Sequence, residues 1–312
     1  MSSTQHVPNP AAMQSLLQDE AYLLASRGVI RLRGEGAVNA LQRLVVSSLA
    51  DISRQAVYTL LLDQANCLFA DLFVVEHQGD LLLECELEAM DALVEKLQPL
   101  CDAQSVEVAD ATDQWRVFAE LPDQSTFKDG GEYIRYVDPR WHMGARLLRP
   151  VHGHQSYAWG NELKWQAHAF KLGLIPNVYS VRGWGIGARE ASLHTLGLLH
   201  AQHVDENLQA ELADSIDTIK RRVLPFRVEP NASAFPTMTG ERVYADELAL
   251  GTVIAHEGLY GLALVELDSW REALQAVQPL RCAGQSVSIT WPTWLARESR
   301  GRAGPVAVAG VY

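Results

Sequence analysis

The sequence predicts an α+β fold that ends in a small β domain. Short runs of alternating apolar and polar residues, typical of strands, are separated by segments with helical spacing. The connections between the strand-like runs are only a few residues long, which favours antiparallel pairing. From residue 223 onward the apolar runs become almost entirely strand-like, which predicts a separate C-terminal β domain or barrel.

The first half of the chain is predicted to alternate strands with two helices. Strands are expected at 29–34, 57–63, 67–77, 80–86, 105–111 and 115–121, and helices at 37–49 and 87–100. The second and third of these strands are joined by Gln64-Ala65-Asn66, which indicates a hairpin.

The second half begins with a polar linker at 122–132. Further elements are expected as a strand at 145–150, a helix at 161–174, a glycine-rich loop at 177–187, a long helix-compatible stretch at 190–222 and, inside the β region, a helix at 269–277. We therefore expect a loose tail and three units, with boundaries at 1–21, 22–121, 122–222 and 223–312.

Composition limits the classes of partner. The 312 residues, 48% hydrophobic and 21% charged, are those of a globular protein with enough apolar residues for a sizeable core. The net charge of -12 disfavours nucleic acid and anionic membranes. We expect a small-molecule ligand, no nucleic acid and no membrane, and a protein partner is left open.

The ends and the cysteines bear on the compartment. The N-terminus lacks a basic region followed by an apolar one, so no secretory signal is predicted. The four cysteines are scattered without a Cys-x-x-Cys pair, which predicts neither a disulfide framework nor a zinc site. A reducing cytoplasm is the expected location.

The stretch LLHAQHVDENLQ (198–209) places His200 and His203 three residues apart, on one face if the segment is helical. Imidazole and carboxylate groups at that spacing can bind zinc or iron. No His-Glu-x-x-His pattern is present, so a polar helix face is favoured and no metal is predicted. The glycines at 183–187 lack the spacing of a phosphate-binding loop and favour a connector.

Asp71 is an acid within the strand-like run FADLFVV. Burying a carboxylate is costly unless it is paired, so a buried Asp71 would indicate a general base or a site for a ligand amine. The alternative is that Asp71 lies on the solvent face of an alternating strand.

Several stretches together resemble a known family. GVIRLRGEGAVNALQRLVVSSLADI, YTLLLDQANCLFADLFVVE, VDPRWHMGARLLRP and KRRVLPFRVE are similar, in order and spacing, to the folate-binding YgfZ family, which is related to the glycine-cleavage aminomethyltransferase, the T-protein. The resemblance covers residues 22–296. It implies a ring of subdomains around a central cavity, a folate ligand such as tetrahydrofolate, and an accessory role in maintaining iron–sulfur proteins.

The chain departs from the family at its hallmark motif. Lys-Gly-Cys-[Tyr/Phe]-x-Gly-Gln-Glu falls on AQHVDENL (201–208), where none of the motif residues is kept and His203 stands in place of the cysteine. The T-protein motif Asp-Asp-Leu-Ile-Val falls on 70–74, where one of the two acids, Asp71, is kept, and Glu190 matches the family's Pro-x-Glu-Ala. The resemblance implies Asp71 and His203 as catalytic candidates, and Asp71, Arg189 and Glu190 as folate-binding candidates.

Three functions follow from this combination. The first is an accessory protein that binds folate or a similar pterin-type molecule. The second is a folate-dependent one-carbon transferase, or a repurposed enzyme of a specialised pathway, in which Asp71, Glu190 and His203 do acid/base work. The third is a non-catalytic interaction subunit that retains the fold alone.

Overall fold

The computed structural model describes residues 21–122, 132–151, 160–193, 219–229 and 237–295. These ranges form two open antiparallel sheets, a closed barrel and four α-helices. The predicted α+β fold with a C-terminal β barrel is therefore confirmed. Within the described ranges, no helix combines the length and the apolar character needed to cross a bilayer.

The first half forms the whole of a five-stranded sheet and two strands, Tyr22–Leu23 and Trp115–Glu120, of a second sheet. In chain order its elements are β1 (Tyr22–Leu23), β2 (Arg27–Arg33), α1 (Ala37–Gln42), β3 (Val57–Leu62), β4 (Leu68–His77), β5 (Asp80–Glu86), α2 (Met90–Asp102), β6 (Glu107–Asp110) and β7 (Trp115–Glu120). The sheet order is β3-β4-β5-β2-β6, and every neighbouring pair is antiparallel. The predicted hairpin joins β3 to β4, with Asn66 in the left-handed region at φ 59°.

Both faces of this sheet are buried. Along β4, Ala70, Leu72 and Val74 pack toward α1 and α2. The intervening Phe73 and Val75 belong to the core that the sheet shares with the rest of the molecule. We call the side toward the two helices the outer face and the opposite side the inner face. Strand alternation alone therefore directs every second residue of β4 into the centre of the protein.

Helix α1 ends earlier than the helical spacing predicted. Instead of reaching residue 49 it stops at Gln42, whose side-chain amide donates to Ser47 O and accepts from the Leu49 N–H. The segment that follows contains Val45 and Val46, whose β-branched side chains have lower helix propensity. The amide of Gln42 thus stabilises a non-helical return toward β3.

The second sheet has the order β1-β7-β9-β8, where β8 is Ile134–Val137 and β9 is Ala145–Pro150. β1 and β8 were not predicted. Gly144 precedes β9 with φ +76°, and a Cβ there would lie 2.0 Å from Glu120 O. Only glycine permits β9 to begin this close to the end of β7.

Helix α3 (Glu162–Leu172) contacts β1 of this sheet, packs mainly against the C-terminal barrel, and agrees with the predicted helix at 161–174. The Asn161 side chain caps it by accepting the Leu163 N–H at 2.9 Å. Gly173 ends it in the left-handed conformation at φ +73°. The buried Trp165 points into the core that the sheets share.

The C-terminal unit is a closed barrel in which every strand has two neighbours. Its elements are β10 (Arg221–Val228), β11 (Arg242–Ala245), β12 (Leu248–Glu257), β13 (Tyr260–Glu266), α4 (Leu267–Gln275), β14 (Leu280–Cys282) and β15 (Gln285–Ile289). The strand order is β10-β13-β12-β11-β14-β15. Closure removes unpaired strand edges. Helix α4 begins two residues before the predicted start at residue 269.

Candidate functional site

Strand register brings charged side chains together on the inner face. Arg27 of β2 lies opposite Glu86 of β5, and Phe73 of β4 lies opposite Glu84 of β5. Continuing this antiparallel register by two residues places Asp71 opposite Glu86. Because side chains of one face recur at every second residue, three adjacent strands present Asp71, Glu86 and Arg27 in one row.

Arg27 binds two carboxylates of this face. Its Nη1 donates to Asp71 Oδ1 at 3.0 Å, and its Nε donates to Glu84 Oε1 at 2.9 Å. Arg140 Nη1 faces the other oxygen of Asp71 at 3.9 Å. Asp71 is 1% exposed, so the alternative that it lies on the solvent face is wrong. The strand directs Asp71 inward, where arginines compensate its charge.

The second sheet and the loop between its strands β8 and β9 supply the remaining charges. Arg146 of β9 donates through Nη1 to Glu84 Oε1 at 2.9 Å and through Nε to Asp138 Oδ2 at 3.2 Å. Tyr136 OH donates to Glu84 Oε2. Arg140 forms a two-point contact with Asp138, with Nε and Nη2 at 2.9 and 2.7 Å. Glu84 therefore joins arginines of β2 and β9, and Asp138 joins Arg146 of β9 to Arg140 of the loop between β8 and β9.

We call this group of buried side chains the central cluster. Its members are Arg27, Tyr58, Asp71, Glu84, Tyr136, Asp138, Arg140 and Arg146. The six charged side chains among them are fully shielded from solvent. Three arginines face three carboxylates, so the charges within the cluster compensate one another.

The ionisation of the cluster follows from burial and from these pairs. Burial alone would raise the pKa of Asp138, but Arg140 and Arg146 lower it below its ordinary value. Burial and then the charge of Asp71 raise the pKa of Tyr58, and burial with Glu84 raises that of Tyr136. Both phenols are therefore neutral hydrogen-bonding groups at physiological pH.

Aromatic rings surround the guanidinium groups. Arg146 Cζ lies 4.8 Å from the ring centroid of Phe73 and 4.7 Å from that of Trp165. Arg140 Cζ lies 5.2 Å from the ring of Tyr58. The rings of Tyr58 and Phe73 are 4.8 Å apart. The site thus combines buried charge with flat apolar surfaces, as in many small-molecule sites.

Four polar atoms of the central cluster are buried and make no hydrogen bond within the described part of the chain. They are Arg27 Nη2, Tyr58 OH, Asp71 Oδ2 and Arg146 Nη2. Buried polar groups are normally satisfied, and each unsatisfied one costs about 1–3 kcal/mol. Two donors, one acceptor and a hydroxyl that can do either are therefore open to a ligand or to buried water.

Glu86 connects this face to the glycine-rich loop. Its Oε1 accepts the Tyr179 N–H, and its Oε2 accepts the Ser180 N–H at 3.2 Å. These residues begin a 3-10 turn at Tyr179–Trp184. Burial and then the charge of Asp71 raise the pKa of Glu86 to about 7. The loop is thereby attached at its start to the row that contains Asp71.

Glu190 makes a different set of contacts. It accepts the Gly187 N–H at 3.0 Å and two bonds from the Arg221 guanidinium at 2.8 and 3.1 Å. This pair joins the end of the glycine-rich loop to the first barrel strand, and these contacts do not include Asp71. Arg189, predicted with Glu190 as a folate-binding residue, is half-buried beside it.

The other predicted sites are placed as follows. His200 and His203, together with the stretch aligned to the family's cysteine motif, lie outside the described residues. Among the residues that the structure describes, no group of three or more side chains could hold a metal ion. The glycine-rich loop forms the 3-10 turn and pairs Gly187 with Cys67, in agreement with a connector.

Sequence reasoning missed most of the central cluster. In DLLLECE, Glu84 and Glu86 occupy alternate positions and so lie on one side of the strand. Two acids on one side also fit a strand side that faces solvent. Asp138, Arg140 and Arg146 lie in the VDPRWHMGARLLRP stretch that carries part of the family resemblance. For Arg27 and Glu84, the available signal was charge on strands that are buried on both faces, whereas Asp138 and Arg140 lie in a loop where alternation gives no signal.

Comparison with known proteins supports the fold. Residues 220–297 match the family model of the CAF17 C-terminal beta-barrel domain. The crystal structure of glycine cleavage system aminomethyltransferase T from Bartonella henselae is similar with a TM-score of 0.57 and 12% identity, over 87% of this chain and 84% of that one. This likeness shows a T-protein-like fold.

A second solved structure is similar over a smaller region. Heterotetrameric sarcosine oxidase from Corynebacterium sp. U-96, in complex with pyrrole 2-carboxylate, gives a TM-score of 0.25 and 16% identity, over 47% of this chain and 88% of that chain. No curated protein sequence matches the chain.

Proposed function

We propose that this protein binds a folate, such as tetrahydrofolate, or a similar pterin-type small molecule, with the ring system at the central cluster. The observation that carries the proposal is the set of four unsatisfied polar atoms around Asp71. The T-protein-like fold and the CAF17-like barrel support the same class of ligand.

The chemistry of the cluster fits a pterin ring. Such a ring carries a carbonyl acceptor beside ring and amino N–H donors on one flat edge. The free Nη2 atoms of Arg27 and Arg146 can donate to the carbonyl, while Asp71 Oδ2 can accept an N–H. Tyr58 OH suits either partner, and the rings of Phe73 and Trp165 suit a flat ligand.

The same contacts favour binding over acid/base catalysis by Asp71. One oxygen of Asp71 is bonded to Arg27, and the other faces Arg140. A carboxylate held in this way orients a ligand N–H well. A one-carbon transferase remains the alternative, and turnover that depends on Asp71 would favour it. The iron–sulfur role implied by the resemblance depends on residues 201–208 and remains a prediction.

The decisive experiment measures binding of tetrahydrofolate by calorimetry to the wild type and to Tyr58→Phe. Because Tyr58 OH has no described hydrogen-bond partner, this variant should be no less stable than the wild type. If the hydroxyl meets the ligand, affinity should fall about five- to tenfold, the cost of one lost hydrogen bond.

Tyr244→Phe is the matched control, since Tyr244 is a partly exposed tyrosine on β11 of the barrel. Its affinity should equal that of the wild type. Equal affinity of Tyr58→Phe and wild type would move the ligand away from the central cluster. Absence of saturable binding by the wild type at millimolar tetrahydrofolate would reject the proposed function.

A further inference from the structure

Glu86 is a fourth buried carboxylate beside the three that belong to the central cluster. It is 4% exposed and lies opposite Arg27 in the inner-face row. Arg27 donates instead to Asp71 and Glu84, and within the described part of the chain Glu86 forms no salt bridge. The three arginines of the cluster are thus bonded to the three other carboxylates. A buried carboxylate that no arginine binds is costly to ionise.

The charged and titratable groups on the elements around Glu86 decide how costly this is. They are Asp71 of β4, Arg27 of β2, Glu84 and Cys85 of β5, the exposed Glu88 after β5, and Tyr179 and Arg182 of the 3-10 turn. Burial and then the charge of Asp71 favour the neutral form, and they outweigh Arg27 and the two N–H groups that favour the charged form. The pKa of Glu86 is therefore raised to about 7.

The same carboxyl group attaches the 3-10 turn Tyr179–Trp184 to the sheet. Its Oε1 accepts the Tyr179 N–H, and its Oε2 accepts the Ser180 N–H at 3.2 Å. The neutral form can keep both contacts, because a protonated carboxyl oxygen retains acceptor capacity. The attachment of the turn thus depends on a titratable group.

The segment that contains the turn lies against the central cluster. Just before the turn, Ile175 O accepts Arg140 Nη1 at 3.0 Å. Val178 and Val181 are buried in the core that also contains Phe73 of the inner face. Movement of the turn away from Glu86 would therefore open this side of the cluster to solvent.

Proton binding and closure of the turn are linked. When the turn is in place, Glu86 is buried and holds its proton up to about pH 7. When the turn moves away, Glu86 meets water, where an ordinary glutamate has a pKa of 4.5. Because the closed form binds the proton more tightly, closure is most stable below pH 4.5 and weakens as the pH rises to about 7.

We propose that Glu86 is a proton-controlled latch: its neutral form keeps the turn Tyr179–Trp184 closed over the central cluster, and its ionisation releases the turn. The opening is local, and the sheets and the barrel stay folded. Such control does not depend on which molecule the cluster binds, so its test needs no ligand.

Hydrogen exchange of the Tyr179 and Ser180 amides, followed by NMR, measures this opening, since these are the N–H groups bound to Glu86. After correction for the intrinsic exchange rate at each pH, their protection in the wild type should fall about 10- to 70-fold between pH 5 and pH 8. The upper limit applies if Glu86 has its ordinary pKa in the open form, and the lower limit applies if Asp71 still raises that pKa.

The Leu82 and Leu83 amides of β5, the central strand of the five-stranded sheet, report global unfolding. They should be more strongly protected than the turn at every pH. Equal protection of the turn and of β5 would overturn the proposal, because the turn would then open only when the whole protein unfolds.

Glu86→Gln cannot ionise, so the protection of the turn in this variant should not change with pH. Glu88→Gln is the matched control, because it neutralises an exposed glutamate two residues away and should keep the pH profile of the wild type. Two further results would contradict the latch: protection of the turn that is constant with pH in the wild type, and protection that still falls with pH in Glu86→Gln.

Discussion

The two faces of the five-stranded sheet are both buried, but they carry different kinds of side chain. The outer face is apolar: Ile30, Leu72 and Leu83 pack against α1 and α2. The inner face of the same strands carries Arg27, Asp71 and Glu84, which are equally shielded from solvent. The outer face is buried through apolar packing, and the inner face is buried through pairing of opposite charges.

This difference indicates that the functional residues lie on the inner face. A buried ion network is weak support for stability, since removing charges from water costs most of what their attraction returns. An apolar inner face would serve the fold at least as well. The protein keeps charges there, together with four unsatisfied polar atoms, and such placements cluster at functional sites. The apolar outer face offers no comparable signal.

The largest effect on the free energy of unfolding is expected when a charge is removed from β5 while the shape of the side chain is kept. Glu84→Gln keeps the shape of the side chain but leaves Arg27 and Arg146 facing a neutral amide. We expect the free energy of unfolding to fall by about 3–5 kcal/mol, as when one partner of a buried pair is removed. Urea unfolding of the wild type and of Glu84→Gln measures this difference in free energy.

The control for this substitution is Leu83→Met on the outer face, which also conserves volume. It should cost less than about 1.5 kcal/mol, because only packing is disturbed. If both variants lost the same free energy of unfolding, charge pairing on the inner face would contribute no more to stability than this packing on the outer face.

An intermediate effect is expected from Glu86, whose pKa burial and Asp71 raise from 4.5 to about 7. A raised pKa in the folded chain means that its stabilising contribution is fully present below pH 4.5 and is lost as the pH rises to about 7. Glu86→Gln cannot ionise. The stability of the wild type relative to this variant should therefore fall by on the order of 3 kcal/mol across that range.

Chemical unfolding of both proteins at several pH values gives this difference directly, and Glu88→Gln, at an exposed position, is its control. A stability difference independent of pH would mean that Glu86 ionises as freely in the folded chain as in the unfolded one.

The smallest effect is expected at the partly exposed pair of Glu190 and Arg221. Arg221→Gln should lower the free energy of unfolding by less than about 1 kcal/mol, and salt should diminish the loss. The measurement is urea unfolding at low and high ionic strength. A loss comparable to that of Glu84→Gln would show that this pair behaves as a buried one.

Much of the fold could be predicted from local pattern. β4 and β5 follow alternation, and α3 lies within the helix expected at 161–174. β8 and β1 were missed because strands of four and two residues carry too little periodicity to detect. The early end of α1 depends on the side chain of Gln42, which helical spacing does not report.

The candidate site was predictable at one residue only. Asp71 was singled out because an acid in an apolar strand requires a partner. That partner, Arg27, is 44 positions away in sequence, and Arg146 is 62 from Glu84. Such pairs are created by strand register and by the packing of two sheets, neither of which a single strand reveals.

The sealed state of the central cluster has a consequence for kinetics. Its charged side chains have no exposed area, so a ligand can reach them only after a covering segment moves. Association should then be limited by opening rather than by diffusion, and its observed rate should level off as ligand concentration rises. The Glu86 contacts with the Tyr179 and Ser180 N–H groups identify one candidate for that segment.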